Sequence, residues 1–351
     1  MGIGRGFSAS QLAIRGEITS RIVDEIKTTH RQRPLDLVLT YFYNSHFDPA
    51  GFEEIHGLGV TTVNFYCNSI HQFDLVSEIA PRARFAWHAE KHARELYLKV
   101  GANPIWVQMA ADPQTYHPVE GCAREKKACF VGMRYADRDR WLAALIRDDV
   151  PLALYGPGWG GDAPAPSGAG AVANGQEPGR LRRYALEAMG NFHKHGPIGG
   201  LTRTWRQMVQ VRESRRLSPL FPQVAKGAIP FEKIREAFSS HEVILNFSNV
   251  WADGRPGSAL IPHVRLRDFE APMCRTCFLS GYTDELADFY DIGTEIDAYR
   301  TEEELIDKVR FYLKHPEAAE RLRQAGYERA RRDHTWVRRF EQLLGAVMDR
   351  K

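Results

Sequence analysis

The densest concentration of chemically capable side chains in this 351-residue chain is His263-Val-Arg-Leu-Arg-Asp-Phe-Glu270. Arg265 and Arg267 are of the type that neutralises a diphosphate through forked hydrogen bonds. Glu270 is of the type that accepts two hydrogen bonds from vicinal hydroxyls such as those of a ribose, with His263 beside them. A solvated amphipathic helix with ordinary ion pairs would carry the same letters. A second cluster, Gly132-Met-Arg134-Tyr-Ala-Asp-Arg138-Asp-Arg140, follows an apolar run. A glycine at a strand end lets a ligand reach the backbone, and a helix starting just beyond it favours phosphate. Ser248-Asn249 ends a third apolar run, where an open α/β sheet meets its ligand, although both residues are also common turn formers. In the first half, Asn44-Ser-His46-Phe-Asp48 and Asn68-Ser-Ile-His71-Gln-Phe-Asp74 follow strand-like runs. His46, His71 and Asp74 are therefore candidates for a general base. His88 and His92 are weaker ones.

Several function classes are disfavoured. Tyr155-Gly-Pro-Gly-Trp-Gly-Gly161 matches neither the phosphate loop of nucleotide triphosphatases nor the dinucleotide fingerprint. The 47 Lys and Arg against 44 Asp and Glu leave a net charge of only +3, too little for a nucleic-acid partner bound through a global positive field. The five cysteines are odd in number and irregular in spacing, and Cys274-Arg-Thr-Cys277 lacks further ligands at zinc spacing. Two buried thiols and no metal are expected there. Position 6 is Gly, so Gly2 is not set in a myristoylation signal. The start has no apolar signal-peptide core, and no apolar run reaches membrane-spanning length, so a cytoplasmic protein is expected.

Short apolar runs alternate with helical patterns. Strands are expected at 35–43, 60–67, 83–87 and 104–109, with an amphipathic segment at 89–100. A proline-rich connector follows at 110–118. A second series expects strands at 128–132, 152–155, 243–247 and 277–280. This implies an α/β protein with two Rossmann-like units. The second is interrupted by an insertion at about 160–224. Residues 160–179 are rich in Gly, Ala, Pro and Ser and read as a flexible loop. Residues 180–216 read as a helix with nine Lys or Arg against two acids, either a solvated face or a surface for an acceptor or partner. Thr301 is expected to cap a helix with Glu304 as its capping-box partner. A helix from Pro316 to Arg331 and another from Trp336 to Val347 close the chain.

Taken in order, the motifs resemble group 1 glycosyltransferase-like proteins related to the spore-maturation protein CgeB. The resemblance runs from about 35 to 345. It is carried by residues 63–74, Ala110-Ala-Asp-Pro113, Phe130-Val-Gly132, Leu245-Asn-Phe-Ser248, Arg267-Asp-Phe-Glu-Ala-Pro272, Phe278-Leu-Ser-Gly281, Ala325-Gly-Tyr-Glu-Arg329 and His334-Thr-Trp336. It implies a GT-B fold, with two Rossmann-like domains facing a central cleft: an acceptor domain at 1–120, a donor-nucleotide domain at 121–335, and a last helix at 336–351 that returns to the first domain. It implies transfer of a hexosyl unit from a UDP-, GDP- or dTDP-sugar to a glycan, protein or small-molecule acceptor, without a cofactor or bound metal. Glu270 would hold the ribose, Arg265 and Arg267 would face the diphosphate, and Gly132 would lie under the donor. Arg134, Ser248, Asn249 and His263 complete the expected donor site. The chain departs from the pattern at Pro262, where many such enzymes carry a Glu, and at Asn68-Ser69, where paired acids are common. The usual opening strand with its glycine-rich loop is not evident. A truncated first sheet would leave an edge that a second copy can cover, so a homo-oligomer is left open. Two other readings fit the same fold: a catalytically silent scaffold binding a glycan or protein, and a sugar-nucleotide epimerase.

Overall fold

The computed structural model describes residues 8–160 and 180–350, with only the backbone of Ala9 and of 180–195. Gly2 and nearly all of the stretch expected to be a flexible loop, from 161 to 179, lie outside the described residues. The chain divides into two units, Met1–Ala110 with Trp336–Lys351, and Ala111–Thr335.

The sheet of unit 1 has four parallel strands in chain order, β1 (Leu37–Thr40), β2 (Thr61–Tyr66), β3 (Phe85–His88) and β4 (Pro104–Trp106). All its strand-to-helix loops therefore leave from one carboxyl edge. Helices α1 (Ala9–Gln32), α2 (Ala50–His56), α3 (Ser69–Gln72) and α4 (Arg94–Lys99) connect and cover the strands. A capping box starts α1: Ser8 Oγ accepts the Gln11 N–H, and Gln11 Oε1 accepts the Ser8 N–H at 2.9 Å. The helix lies close against the loop after β1. A Cβ on Gly51 would sit 2.6 Å from both Phe47 and Thr19, so only glycine fits there. Val63, Phe85, Trp87 and Ile105 pack with Leu343 and Val347 of the C-terminal helix, Trp336–Met348. Arg339 of that helix donates to the Met109 carbonyl at 3.2 Å. Full burial of side chains of this size contributes roughly 1.5–3 kcal/mol each.

In unit 2, β5 (Glu125–Val131), β6 (Leu152–Tyr155), β7 (Ala225–Gly227), β8 (His241–Asn246), β11 (Cys277–Gly281) and β12 (Asp297–Tyr299) form a parallel sheet in the order β12-β11-β8-β5-β6-β7. A short antiparallel pair, β9 (Asn249–Trp251) and β10 (Leu260–Pro262), projects after β8. The chain lays down β5, β6 and β7 in one direction, then returns to the other side of β5 with β8. Alternate residues face opposite cores. Ala128, Phe130, Val243, Leu245 and Leu279 pack under α5 (Arg138–Arg147) and α9 (Glu302–Lys314). Cys129, Val131, Ile244 and Phe278 pack under α7 (Ile234–Ser239), α8 (Arg267–Met273) and α10 (Pro316–Asp333). Two-sided burial explains why these strands read as continuous apolar runs. Helix α6 (Arg180–Leu217) is broken at Gly196, which has φ 72° and ψ 177° and precedes Pro197. The expected single basic helix is thus two helices, because a proline lacks the N–H a continuous helix needs and restricts the residue before it.

Other expectations shift in detail. Residues 89–100 are a 3-10 turn, Lys91–Ala93, followed by the short α4, and the strand expected at 104–109 stops at Trp106. Thr301 caps α9 by accepting the Glu304 N–H at 3.1 Å, but the Glu304 carboxylate takes the N–H of Arg300 rather than that of Thr301. Cys274 and Cys277 are free, fully buried thiols. Gly326, in the Ala-Gly-Tyr motif, lets α10 approach turn residue Glu295 so closely that a Cβ would lie 2.2 Å from its carbonyl oxygen. His334 is buried among Phe269, Phe289 and Tyr290, and its Nε2 bonds the Phe289 carbonyl at 2.8 Å. Both motifs are packing devices.

His88, at the end of β3, is fully buried and stacked on Tyr97 at 5.0 Å. Its Nδ1 contacts the Glu90 carbonyl at 3.0 Å, and its Nε2 is buried without a partner. Burial holds the imidazole pKa down to about 4. The unfolded chain, with an ordinary histidine near 6.5, then takes up a proton first on acidification. Stability is therefore expected to fall by roughly 3 kcal/mol between about pH 6.5 and 4. Urea denaturation of the native chain against His88→Phe across that range checks this. An equally steep decline in the variant would remove His88 as the cause.

Candidate functional site

The reversal of strand order between β5 and β8 creates a crevice outside their carboxyl ends, the place where open α/β sheets bind ligands. Gly132 leaves β5 with its N–H bonded to the Tyr155 carbonyl at 2.8 Å, and its own carbonyl accepts Trp159 Nε1–H at 2.8 Å. Gly156, at φ 128°, packs onto this turn so tightly that a Cβ would lie 2.4 Å from Gly132 O. The Gly-Pro-Gly-Trp segment thus buttresses the turn. Ala136 then adopts φ 56°, a left-handed conformation unusual for a non-glycine residue, just before α5 begins.

Two arginines on this turn meet opposite fates. Arg134 is buried and paired. Its Nε lies 2.9 and 2.8 Å from the two oxygens of Asp139, its Nη1 donates to Ser218 Oγ at 2.8 Å, and its Nη2 donates to the Ser214 carbonyl at 2.6 Å. It joins the start of α5 to the end of α6. Arg138, in the first turn of α5, is 6% exposed and has no carboxylate within ion-pair distance among the described residues. Its Nη1 donates to the Met133 carbonyl at 2.7 Å, its guanidinium lies over Phe130 and Tyr135, and its Nε is buried without a partner. Burial, then the neighbouring Arg265 charge, lowers its pKa to about 9, so it remains charged at neutral pH. Asp137, just ahead of α5, accepts Trp141 Nε1–H at 2.9 Å and Asn249 Nδ2–H at 2.6 Å. The latter bond ties the β5 turn to the β8 turn.

The segment from 263 to 270 is no solvated helix. Only its last four residues begin α8, and of these Asp268, Phe269 and Glu270 are buried. Asp268 organises it, accepting the Arg265 N–H at 2.7 Å, Ser280 Oγ–H at 2.7 Å and Asn246 Nδ2–H at 3.0 Å. Burial nevertheless raises its pKa. Arg265 donates to the Asn249 carbonyl at 3.3 Å. Arg267 lies over Phe238 and bonds Glu270 Oε2 at 2.8 Å. Glu270 also meets the Tyr116 hydroxyl, whose pKa burial and that carboxylate together raise. His263 is buried, with its N–H on the Ser248 carbonyl at 3.1 Å, and Ser248 Oγ donates to the Gly281 carbonyl.

Gly132, Ser248, Asn249, Arg265 and Arg138 are thus gathered around the ends of β5 and β8, with Asp268 beneath. Arg134 is drawn into the structural tie with Asp139, and Arg267 and Glu270 form their own pair on α8. Asp268, inside the motif, is the residue that orders it. Its signal was its spacing, an acid three residues after the N–H it accepts. Tyr116 gave no signal in the sequence.

In unit 1, His46 is exposed on the turn after β1, His71 is half-buried on α3, and Asp74 is exposed on the 3-10 turn Phe73–Leu75 that follows it. Tyr43 meets the His46 ring edge-on at 5.0 Å. Asn44, fully buried, holds the loops together. Its Nδ2 donates to the Asp74 carbonyl at 2.8 Å, and its Oδ1 accepts the N–H groups of Glu78 and Ile79 at 3.2 and 3.1 Å.

Comparison with known proteins places this geometry. The profile of a family described as "Glycosyl transferase-like" matches residues 180–345. No curated protein matches the sequence. Among solved structures, sucrose-phosphate synthase from Thermosynechococcus elongatus is similar over 95% of this chain and 79% of its own, at 14% identity and TM-score 0.54. HepE of Anabaena, solved with UDP-glucose, is similar over 94% and 82%, at 11% identity and TM-score 0.55. A glycosyltransferase from Rickettsia africae is similar over 97% and 82%, at 9% identity and TM-score 0.54. The fold is GT-B. The 3-2-1-4-5-6 strand order of unit 2 and its switch point between β5 and β8 are the part of that fold described above. None of the described helices is long and apolar enough to cross a membrane.

Arg134→Met would leave Asp139 buried without its charged partner, with only the Ser214 hydroxyl donating to it among the described residues. A loss of about 3 kcal/mol or more in urea denaturation is expected. A loss within experimental error would show that the Arg134 tie does not hold α5 to α6.

Proposed function

We propose that this GT-B protein is a glycosyltransferase that takes its sugar from a nucleoside-diphosphate donor held at the β5–β8 switch point of unit 2. The observation that carries this is Arg138, a buried guanidinium that forms no ion pair among the described residues, near Arg265 and at the first turn of α5. The like charge of the half-buried Arg265 disfavours the buried Arg138 cation further. A diphosphate supplies the missing counter-charge, and the helix start adds its dipole. The solved complexes of HepE with UDP and with UDP-glucose support uridine nucleotides as the first donors to try.

In this reading Gly132 lets the phosphates approach the backbone, and Ser248, Asn249 and His263 line the strand ends. Glu270, whose carboxylate keeps acceptor capacity beyond its bond to Arg267, takes the ribose hydroxyls. The bond from the anomeric carbon to the phosphate oxygen breaks and the acceptor oxygen forms the new glycosidic bond. The negative charge gathering on the leaving diphosphate is met by Arg138 and Arg265 rather than by a metal ion. The acceptor proton is assigned to a base of unit 1, His46, His71 or Asp74, which lie in the segments that follow β1 and β2.

Thermal denaturation with UDP, GDP, dTDP and UDP-glucose tests the site. A ligand a hundredfold above its Kd stabilises by about 2.7 kcal/mol. Arg138→Met removes an uncompensated buried charge, so the ligand-free protein is expected to melt no lower than the native chain, while nucleotide affinity falls at least about tenfold. Glu270→Ala is expected to weaken binding with the fold intact, and chelator should leave binding unchanged. Full nucleotide affinity in both variants would overturn the assignment. No stabilisation of the native chain by any nucleotide would favour a non-catalytic scaffold.

A further inference from the structure

The second half of α6, after the Gly196 break, has two faces of opposite character. The inner face is used by unit 2. Arg203 forms a forked pair with Asp253 at 2.7 and 2.8 Å, Gln210 accepts the Gly257 N–H at 3.2 Å, and Ser214 joins the Arg134 tie. The outer face carries Ile198, Leu201, Trp205, Met208 and Val209, spaced to form one stripe down three turns. All five are exposed, Ile198 by 83%, Trp205 by 60% and Met208 by 55%. Helical spacing continues the same stripe into Arg212 and Arg216, with Arg215 beside it. Arg206, Arg212, Arg215 and Arg216 are all exposed, and Arg206, Arg212 and Arg216 make no hydrogen bond or ion pair among the described residues. The only acid between 196 and 217 is Glu213.

We propose that this face of α6 is a docking surface for an anionic lipid membrane, on which the helix lies in the plane of the headgroups. The charge pattern selects this occupant. A contiguous apolar face with an indole is suited to the boundary between acyl chains and headgroups, and arginines in line with it are suited to acidic lipid headgroups. A second copy of the chain is a poor occupant. Antiparallel pairing of two such helices sets the arginine end of each against the apolar end of the other. Parallel pairing sets arginine against arginine. With one glutamate in the segment, neither pairing neutralises the charge, whereas an acidic bilayer supplies both the apolar layer and the counter-charge. A helix on the surface needs no membrane-spanning length.

Flotation of the full chain with vesicles of phosphatidylcholine, and of phosphatidylcholine mixed with phosphatidylglycerol, tests the proposal. The substituted side chains are exposed, so unchanged melting temperatures establish that the variants fold. Binding to the acidic vesicles is expected to exceed binding to the neutral ones by about tenfold or more and to weaken as salt is raised. Leu201→Ser with Trp205→Ser should abolish binding to both. Arg212→Gln with Arg216→Gln should remove the preference for the acidic vesicles. Absence of binding by the native chain, or binding indifferent to both pairs of substitutions, overturns the proposal. So does a chain that sediments as a dimer and becomes a monomer in the serine pair, because the stripe is then covered by a second copy.

Discussion

One buried carboxylate holds the ligand edge of unit 2 in shape. Asp268 receives donors from the end of β8, the end of β11 and the backbone of Arg265, so three segments converge on two oxygens. Taking a carboxylate out of water is costly, and the upward pressure on its pKa records that cost. Three donors offset it only while all three segments stay in place. The turn carrying Arg265, and the start of α8 carrying Glu270, are thereby fixed relative to the strand ends. The site is set by the sheet rather than by a free loop, which is the arrangement that keeps binding groups in register with a ligand.

The two arginines of the β5 turn show how environment, and not residue type, divides structure from binding. Arg134 has a carboxylate, two serine hydroxyls and a carbonyl around it. Its charge is spent within the fold. Arg138, four residues on, is as deeply buried but bonds only a carbonyl and lies over two aromatic rings, with Asp137 near but not paired and Arg265 as a like charge. Burying an unpaired cation destabilises the ligand-free state, and the tie made by Arg134 is part of what lets the fold bear it. Stability is given up at one arginine and supplied at the other, the usual relation between a binding group and its scaffold.

Much of the architecture was legible because the central strands are buried on both faces. Ala128–Val131 of β5, Val243–Leu245 of β8 and Cys277–Leu279 of β11 read as unbroken apolar runs. The edge strands β7 and β12, three residues each, did not, since Ala225-Lys-Gly227 and Asp297-Ala-Tyr299 carry no such run. Helix α1 was missed because its apolar residues are sparse, and the break in α6 was passed over although Gly196-Pro197 announces it. At the site, the sequence placed Ser248 and Asn249 at a strand end, where the structure has them. It had no means of separating Arg134 from Arg138. The partners that claim Arg134 beyond Asp139 are Ser214 near the end of α6 and Ser218 just after it, some eighty positions away.

The second half of α6 is bound into the turns around the β5–β8 switch point. The inner face of α6 ends in Ser214, which contacts both Arg134 and Asp139, and Gln210 reaches the carbonyl of the left-handed Ala136. Higher up, Arg203 and Gln210 grip the loop between β9 and β10, where glycine at 257 permits a backbone approach that a Cβ, 3.0 Å from the Arg203 carbonyl, would crowd. That hairpin begins with Asn249, which holds Asp137 in turn. The contacts run from α6 through the hairpin to Asn249 and back through Asp137 and Asp139 to α5. A helix so placed cannot shift without disturbing the turn that presents Arg138. Whatever covers its outer, apolar face is thereby mechanically connected to the strand ends of unit 2.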